Sequence, residues 1–184
     1  MLSAEERRGL LHYARQTLAA HFAGAAAPVA PHLEDPGAHS GAFVTLEVHG
    51  DLRGCIGYPG SERALDEVVA ECAIAAATED PRFPPLRVRE LDGLEIEISV
   101  LTPIVPVRDV GEIEVGRDGL IVSQGGRRGL LLPQVATEQG WDRDTFLAHT
   151  CLKAGLRPDA WKTGAYIARF QAEVFSEASE EAGR

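Results

Sequence analysis

Residues 43–57 read FVTLEVHGDLRGCIG, and the fold turns on how this stretch doubles back. Phe43 to Val48 alternates as a strand, with Val44, Leu46 and Val48 on one face. His49-Gly50-Asp51 supplies the connection, and a second strand runs from Leu52 to Ile56. Burial decides the pairing. A three-residue loop sets Val48 opposite Leu52, Leu46 opposite Gly54 and Val44 opposite Ile56, so the apolar side chains share one face. A two-residue loop scatters them over both. The three-residue register also sets Glu47 against Arg53 and Thr45 against Cys55, and these four line the face turned from the core.

Outward from the hairpin the pattern becomes helical. Pro59, Gly60 and Ser61 lead into a helix over about 62–78, with Leu65, Val68, Val69, Cys72, Ala73 and Ala76 as its apolar stripe. A proline-rich loop, EDPRFPPL, follows. Leu94 to Leu101 then alternates as a strand with Leu94, Ile96, Ile98 and Val100 inward. Upstream, residues 3–22 read as an amphipathic helix with Ser3 as N-cap and Glu6 at the capping-box position. The stretch AGAAAPVAPHLEDPGAHSG is an extended connection, and its His32 and His39 are expected at the surface.

The order strand, glycine turn, Arg-Gly, strand, helix returns in GLIVSQGGRRGLLLPQ. Superposing Arg128-Gly129 on Arg53-Gly54 places Gly125 on Gly50 and Leu130 on Cys55, an internal duplication at a period of about 75 residues. Helices are expected over 133–139 and 143–154, with Gly140 and Gly155 as C′ residues, and a closing strand over 166–175. The fold class is α+β: two related β/α lobes packed as one unit with a cleft between them. Lobe one covers about 40–101 and lobe two about 112–175, flanked by the N-terminal helix and a frayed acidic tail over 176–184.

Bulk properties narrow the function. With 184 residues the chain buries a real core without a disulfide or metal. A net charge of -10 disfavours nonspecific binding to nucleic acid and anionic membranes, and no partner of either kind is expected. The start, MLSAEERRGLLHYARQTLAAHF, is helically spaced and does not read as a signal peptide. Three cysteines with no CxxC pair suit a reducing cytosol. No cofactor or metal site is expected from the scattered histidines.

The chemistry concentrates at LRGCIG, residues 52–57. Arg53 and Cys55 project from one strand face, and a nearby guanidinium favours the thiolate, the reactive form of cysteine. The helix after Ser61 would aim its positive N-terminal end at the same place. Gly54 and Gly57 leave room for a ligand or another backbone. The candidate catalytic residues are Cys55 and Arg53, with Glu47 or His149 as assisting base. Arg53, Gly54, Gly57 and Thr45, with Asp80 and Arg82 held rigid between prolines, are the candidate substrate contacts. Each has a plainer reading. Arg53 and Glu47 can be a cross-strand pair, Asp80 and Arg82 a loop-stabilising pair, and Cys55 a small strand residue. Cys72 and Cys151 read as core, and Lys162 as a solvated lysine.

LRGCIG, DPRFPPL, LEIEISVLTP, GLLLPQVATEQGW and FLAHTCLKAGL occur in the order seen in the AMMECR family. The chain resembles that family over nearly its whole length; bacterial and archaeal members are called AmmeMemoRadiSam system protein A. The resemblance implies an α+β fold of two related lobes and an association with Memo-like and radical-SAM proteins. It implies no reaction. One departure stands out: where several relatives read Gly-x-His-Gly, this chain has Gly116-Arg117-Asp118-Gly119. Two function classes therefore stay open. One is a cysteine-dependent enzyme acting on a small anionic or carbonyl substrate. The other is a non-catalytic binding or adaptor module.

Overall fold

The alternation at residues 43–48 is realised as β1 (Gly41–Val48), paired antiparallel with β2 (Asp51–Tyr58). The computed structural model describes residues 1–39 and 41–182. The chain divides into two units, Met1–Leu101 with Glu173–Arg184 and Thr102–Ala172.

In the first unit, α1 (Ala4–Ala23) starts at the expected capping box: the Ser3 hydroxyl accepts from the Glu6 N–H, and the Glu6 carboxylate accepts from the Ser3 N–H. α2 (Leu65–Thr78) begins three residues later than predicted, the Leu65 N–H being taken by the Pro36 carbonyl. β3 (Leu94–Leu101) pairs with β1, giving the order β2-β1-β3. α1 and α2 cover one face of these strands. Leu10, Leu18, Val44, Leu46, Val68, Cys72, Ile96 and Ile98 meet there with no exposure. His39 is buried rather than at the surface: its Nε2 lies 3.0 Å from the Arg63 carbonyl oxygen.

The hairpin register corrects the sequence reading. Thr45 faces Cys55, Leu46 faces Gly54 and Val44 faces Ile56, as expected, but Val48 faces Asp51 and Glu47 faces Leu52. The turn has two residues, His49 (φ 55°) and Gly50 (φ 83°), the paired positive φ values of a type I′ turn. A β-bulge absorbs the mismatch: Arg53 is the extra residue between Leu52 and Gly54, so the apolar face survives a two-residue turn. The expected Glu47–Arg53 pair does not form.

The second unit has β4 (Val105–Pro106), β5 (Asp118–Gln124), β6 (Arg127–Leu131) and β7 (Tyr166–Ser176, its last four residues belonging to the first unit). β5 lies between β6 and β7, while β4 pairs with β7. α3 (Pro133–Glu138) and α4 (Arg143–Lys153) follow the hairpin, with Gly140 (φ 66°) and Gly155 (φ 70°) ending them as predicted. Leu120, Val122, Phe146, Leu147 and Cys151 form this unit's core. Both units thus run hairpin, helix, strand, with the last strand returning antiparallel beside the first.

The expected frayed tail is ordered over α5 (Glu177–Ala182), because Arg7 and Arg15 of α1 ion-pair with Glu180 and Glu177.

Candidate functional site

The bulge decides what Arg53 can do. Its Nε donates to Glu90 Oε1 at 2.8 Å, Nη1 to the Pro84 carbonyl at 2.7 Å, and Nη2 to the Pro85 carbonyl at 3.3 Å. Glu90 is held low in pKa by this Arg53 hydrogen bond, with help from the Arg87 N–H. The guanidinium therefore fastens β2 to the 80–90 loop.

The space opened by the two glycines is filled from within the unit. A Cβ on Gly54 would lie 2.0 Å from the Ala76 carbonyl oxygen, and one on Gly57 2.2 Å from the Phe43 ring. Gly54 is what lets the last turn of α2 touch β2. The electrostatic consequence reverses the expectation from sequence. The carboxyl end of α2, and not its positive N-terminal end, adjoins the cysteine strand, because the chain crosses from Tyr58 to Leu65 before turning helical.

Cys55 is half-buried and both its backbone polar groups are held by the DPRFPPL loop. Asp80 Oδ2 accepts its N–H at 2.8 Å, and Arg82 Nη2 donates to its carbonyl at 3.4 Å. Asp80 is itself buried and accepts from Arg82 at Nε and Nη2 and from the Arg82 N–H. These hydrogen bonds, the Arg82 side chain's first, hold the Asp80 carboxyl far below its ordinary range against the cost of burial. LRGCIG and DPRFPPL thus form one structure: the loop supplies the partners that an edge strand otherwise lacks. The Thr45 hydroxyl donates to Cys55 Sγ at 3.4 Å. The Arg82 side chain stays 54% exposed.

Across the strands Cys55 faces Thr45, and Thr45 faces Glu97; in the next row Glu47 faces Glu95. This is the face of the first unit's strands away from α1 and α2. Burial, with Glu47 and Glu95 adding like charge, pushes the Glu97 carboxyl up. Sequence reading missed Glu97 and Glu90. The alternation of LEIEISV placed Glu95 and Glu97 outward, but only the β1–β3 register brings them beside Thr45 and Glu47.

The remaining candidates each have their own surroundings. His149, in the second unit, is stacked on Trp141 with ring centroids 3.9 Å apart. Cys72 and Cys151 are core residues as expected; burial pushes the Cys72 thiol up to about 12 and raises that of Cys151. Lys162 is exposed over the Trp161 ring. Asp118 is fully buried and accepts from Arg117 Nε at 3.0 Å and from the Glu114 N–H at 2.9 Å. Burial alone would raise its pKa, yet these partners hold it low. The aspartate is a structural anchor for the 114–118 turn.

Among the described residues no three His, Cys, Asp or Glu side chains are grouped to hold a metal. Nor is any helix among them long and apolar enough to cross a membrane.

A family model described as AMMECR1 matches residues 11–175. A protein of Methanothermobacter thermautotrophicus is 49% identical over 187 residues, which cover 96% of each chain. A protein of Thermofilum pendens is 48% identical, over 96% of this chain and 92% of its own. The crystal structure of the uncharacterized protein PH0010 from Pyrococcus horikoshii is 39% identical. It superposes with a TM-score of 0.81 over 98% of this chain and 95% of that one.

Proposed function

The chain belongs to the AMMECR1 family, and on that premise we propose that it is a cysteine-dependent enzyme in which Cys55 attacks a small substrate, a carbonyl compound in preference to an anion. The supporting observation is the mounting of residue 55. A half-buried thiol sits on a strand whose N–H and C=O are both fixed by a loop, beside the exposed guanidinium of Arg82. Arg82 takes the orienting role that sequence gave to Arg53, because Arg53 is engaged by Glu90 and two carbonyls. The carboxylates at positions 47, 95 and 97 disfavour a free anion and suit a neutral carbonyl group. In this reading the sulfur adds to the carbonyl carbon. A C–S bond forms as S–H breaks, and the proton passes to Glu47, the carboxylate two residues along β1 from Thr45, which returns it to the new alkoxide. The carbonyl oxygen takes the π electron pair and then a proton, giving a hemithioacetal with no change of oxidation state. We read the two units as copies of one duplicated element, only the first of which carries a sulfur at this position.

A binding or adaptor role is the second reading. It is favoured by how completely Arg53, Gly54 and Gly57 are used in packing. Under it the motif holds a surface for Memo-like and radical-SAM partners. Cys55→Ser separates the two. Loss of cellular function with retained capture of those partners supports the enzyme; retention of both removes the thiol from the mechanism.

A further inference from the structure

The end of the chain is attached to the first unit by different means from the rest. Phe175 is buried in the core, and among residues 176–180 no side chain joins it. α5 is held instead by carboxylates. Glu177 accepts from Arg15 Nε and Nη2 at 2.5 and 2.6 Å, and its Oε2 also accepts the Ile96 backbone N–H at 2.9 Å. Arg15 in turn donates to the carbonyl oxygens of Leu91 and Leu94. Glu180 accepts from Arg7 Nε at 2.6 Å and lies 3.7 Å from Arg8.

Hollows flank this seam. One of about 450 Å³ lies between Arg8, His12, Glu177 and Glu180. Another of about 400 Å³ lies between Arg15, Gly93, Glu95 and Glu177. The seam is therefore bridged by ion pairs and not filled by interlocking side chains. A six-residue helix cannot sustain itself in water. The arginine side chains are 27–45% exposed, so salt screens the pairs that hold it.

We infer that α5 is a displaceable acidic latch, and that the surface beneath it is a seat for an acidic peptide segment, filled in this chain by its own C-terminal residues. The seat consists of Arg7, Arg8 and Arg15 on one helix and the backbone N–H of Ile96 on β3. It reads two carboxylates three residues apart, the spacing of Glu177 and Glu180, with the first carboxylate also taking a strand N–H. Release leaves that N–H without its acceptor and removes Glu177 from beside Glu95, whose strand carries Glu97 two residues on. The inference is independent of the reaction proposed for Cys55.

Amide hydrogen exchange in the 184-residue chain tests it. Between 0.05 and 0.5 M NaCl the Ile96 amide should exchange at least tenfold faster, while the Ile98 amide, in the core of the same strand, should not change. Arg15→Gln should produce the same acceleration at low salt. In a Glu177→Gln/Glu180→Gln chain, an acetylated peptide of residues 176–182 should shift the Ile96 amide and Arg15 Nε resonances saturably. Its double-glutamine version should not. Ile96 exchange that ignores salt and tracks Ile98 would overturn the latch, and an equal response to the two peptides would overturn the acidic seat.

Discussion

The β1–β2 hairpin and the β5–β6 hairpin share a frame and differ by one residue. Each turns through two positive-φ residues, His49-Gly50 and Gly125-Gly126. Each carries a glycine against the last turn of a helix: a Cβ on Gly54 would lie 2.0 Å from Ala76 O, and one on Gly129 2.3 Å from Ala154 N. Counted from the turn, however, Gly54 is one residue further along than Gly129. The extra residue is the bulged Arg53. In β6 no bulge interrupts the register, so Arg128 faces Ser123 and is exposed, in the place that Leu52 holds in β2. Thr45–Cys55 in the first hairpin corresponds to Ile121–Leu130 in the second. Packing fixes the glycines in both, and one inserted residue gives the first hairpin an anchor to a loop. That loop then holds the cysteine.

The largest expected effect tests the shared frame. Gly54→Ala and Gly129→Ala should each cost about 3 kcal/mol or more, because the new methyl meets backbone that cannot move aside without shifting a helix. Chemical denaturation measures both; a loss under 1 kcal/mol at either position would break the parallel. Next comes the loop. Asp80→Ala leaves the half-buried Cys55 N–H without its acceptor and strips Arg82 of its partner, and should cost about 2 kcal/mol at neutral pH. The folded-state pKa of Asp80 is depressed, so its contribution is present above the ordinary aspartate range and fades as pH falls toward the folded value. Wild type and variant should therefore converge in stability in strong acid.

The inserted residue gives a smaller and more selective effect. Arg53→Ala should cost about 1.5–2 kcal/mol through the Glu90 and carbonyl contacts, while Arg128→Ala should stay within about 0.5 kcal/mol. Equal costs would mean that the bulge does not distinguish the hairpins. Smallest is Glu97→Gln. A carboxyl raised by burial and like charge stabilises the fold less as pH rises through its folded-state pKa. The variant should therefore gain up to about 1 kcal/mol above neutral pH and nothing near pH 4. Thermal melts across that range would show it.

Much of this was legible in the chain. The alternation of FVTLEV and LEIEISV, the Ser3–Glu6 capping box and the apolar stripe of α2 gave elements of the right type and nearly the right length. So did the burial of Cys72 and Cys151. The Thr45–Cys55 pairing was legible from burial alone, although by way of the wrong loop. A bulge leaves no periodic trace, because it keeps the apolar face intact while moving one side chain off it; Arg53 was therefore given to Glu47 instead of Glu90. Which end of α2 meets the cysteine strand depends on the path from Tyr58 to Leu65, which no local pattern records. Glu97 needed the β1–β3 register. The acidic tail looked solvated because its partners, Arg7 and Arg15, lie more than 160 residues away.

The central claim is that the sulfur at position 55 is chemically available and reactive where its two fellows are not. The direct measurement is the rate of alkylation of each cysteine in the native chain at neutral pH, resolved by peptide mass spectrometry and set against a small model thiol. The account predicts that Cys55 labels faster than the model thiol, while Cys72 and Cys151 label only when the chain unfolds. Labelling of Cys55 no faster than the model thiol, or at a rate shared with the two core cysteines, would contradict it.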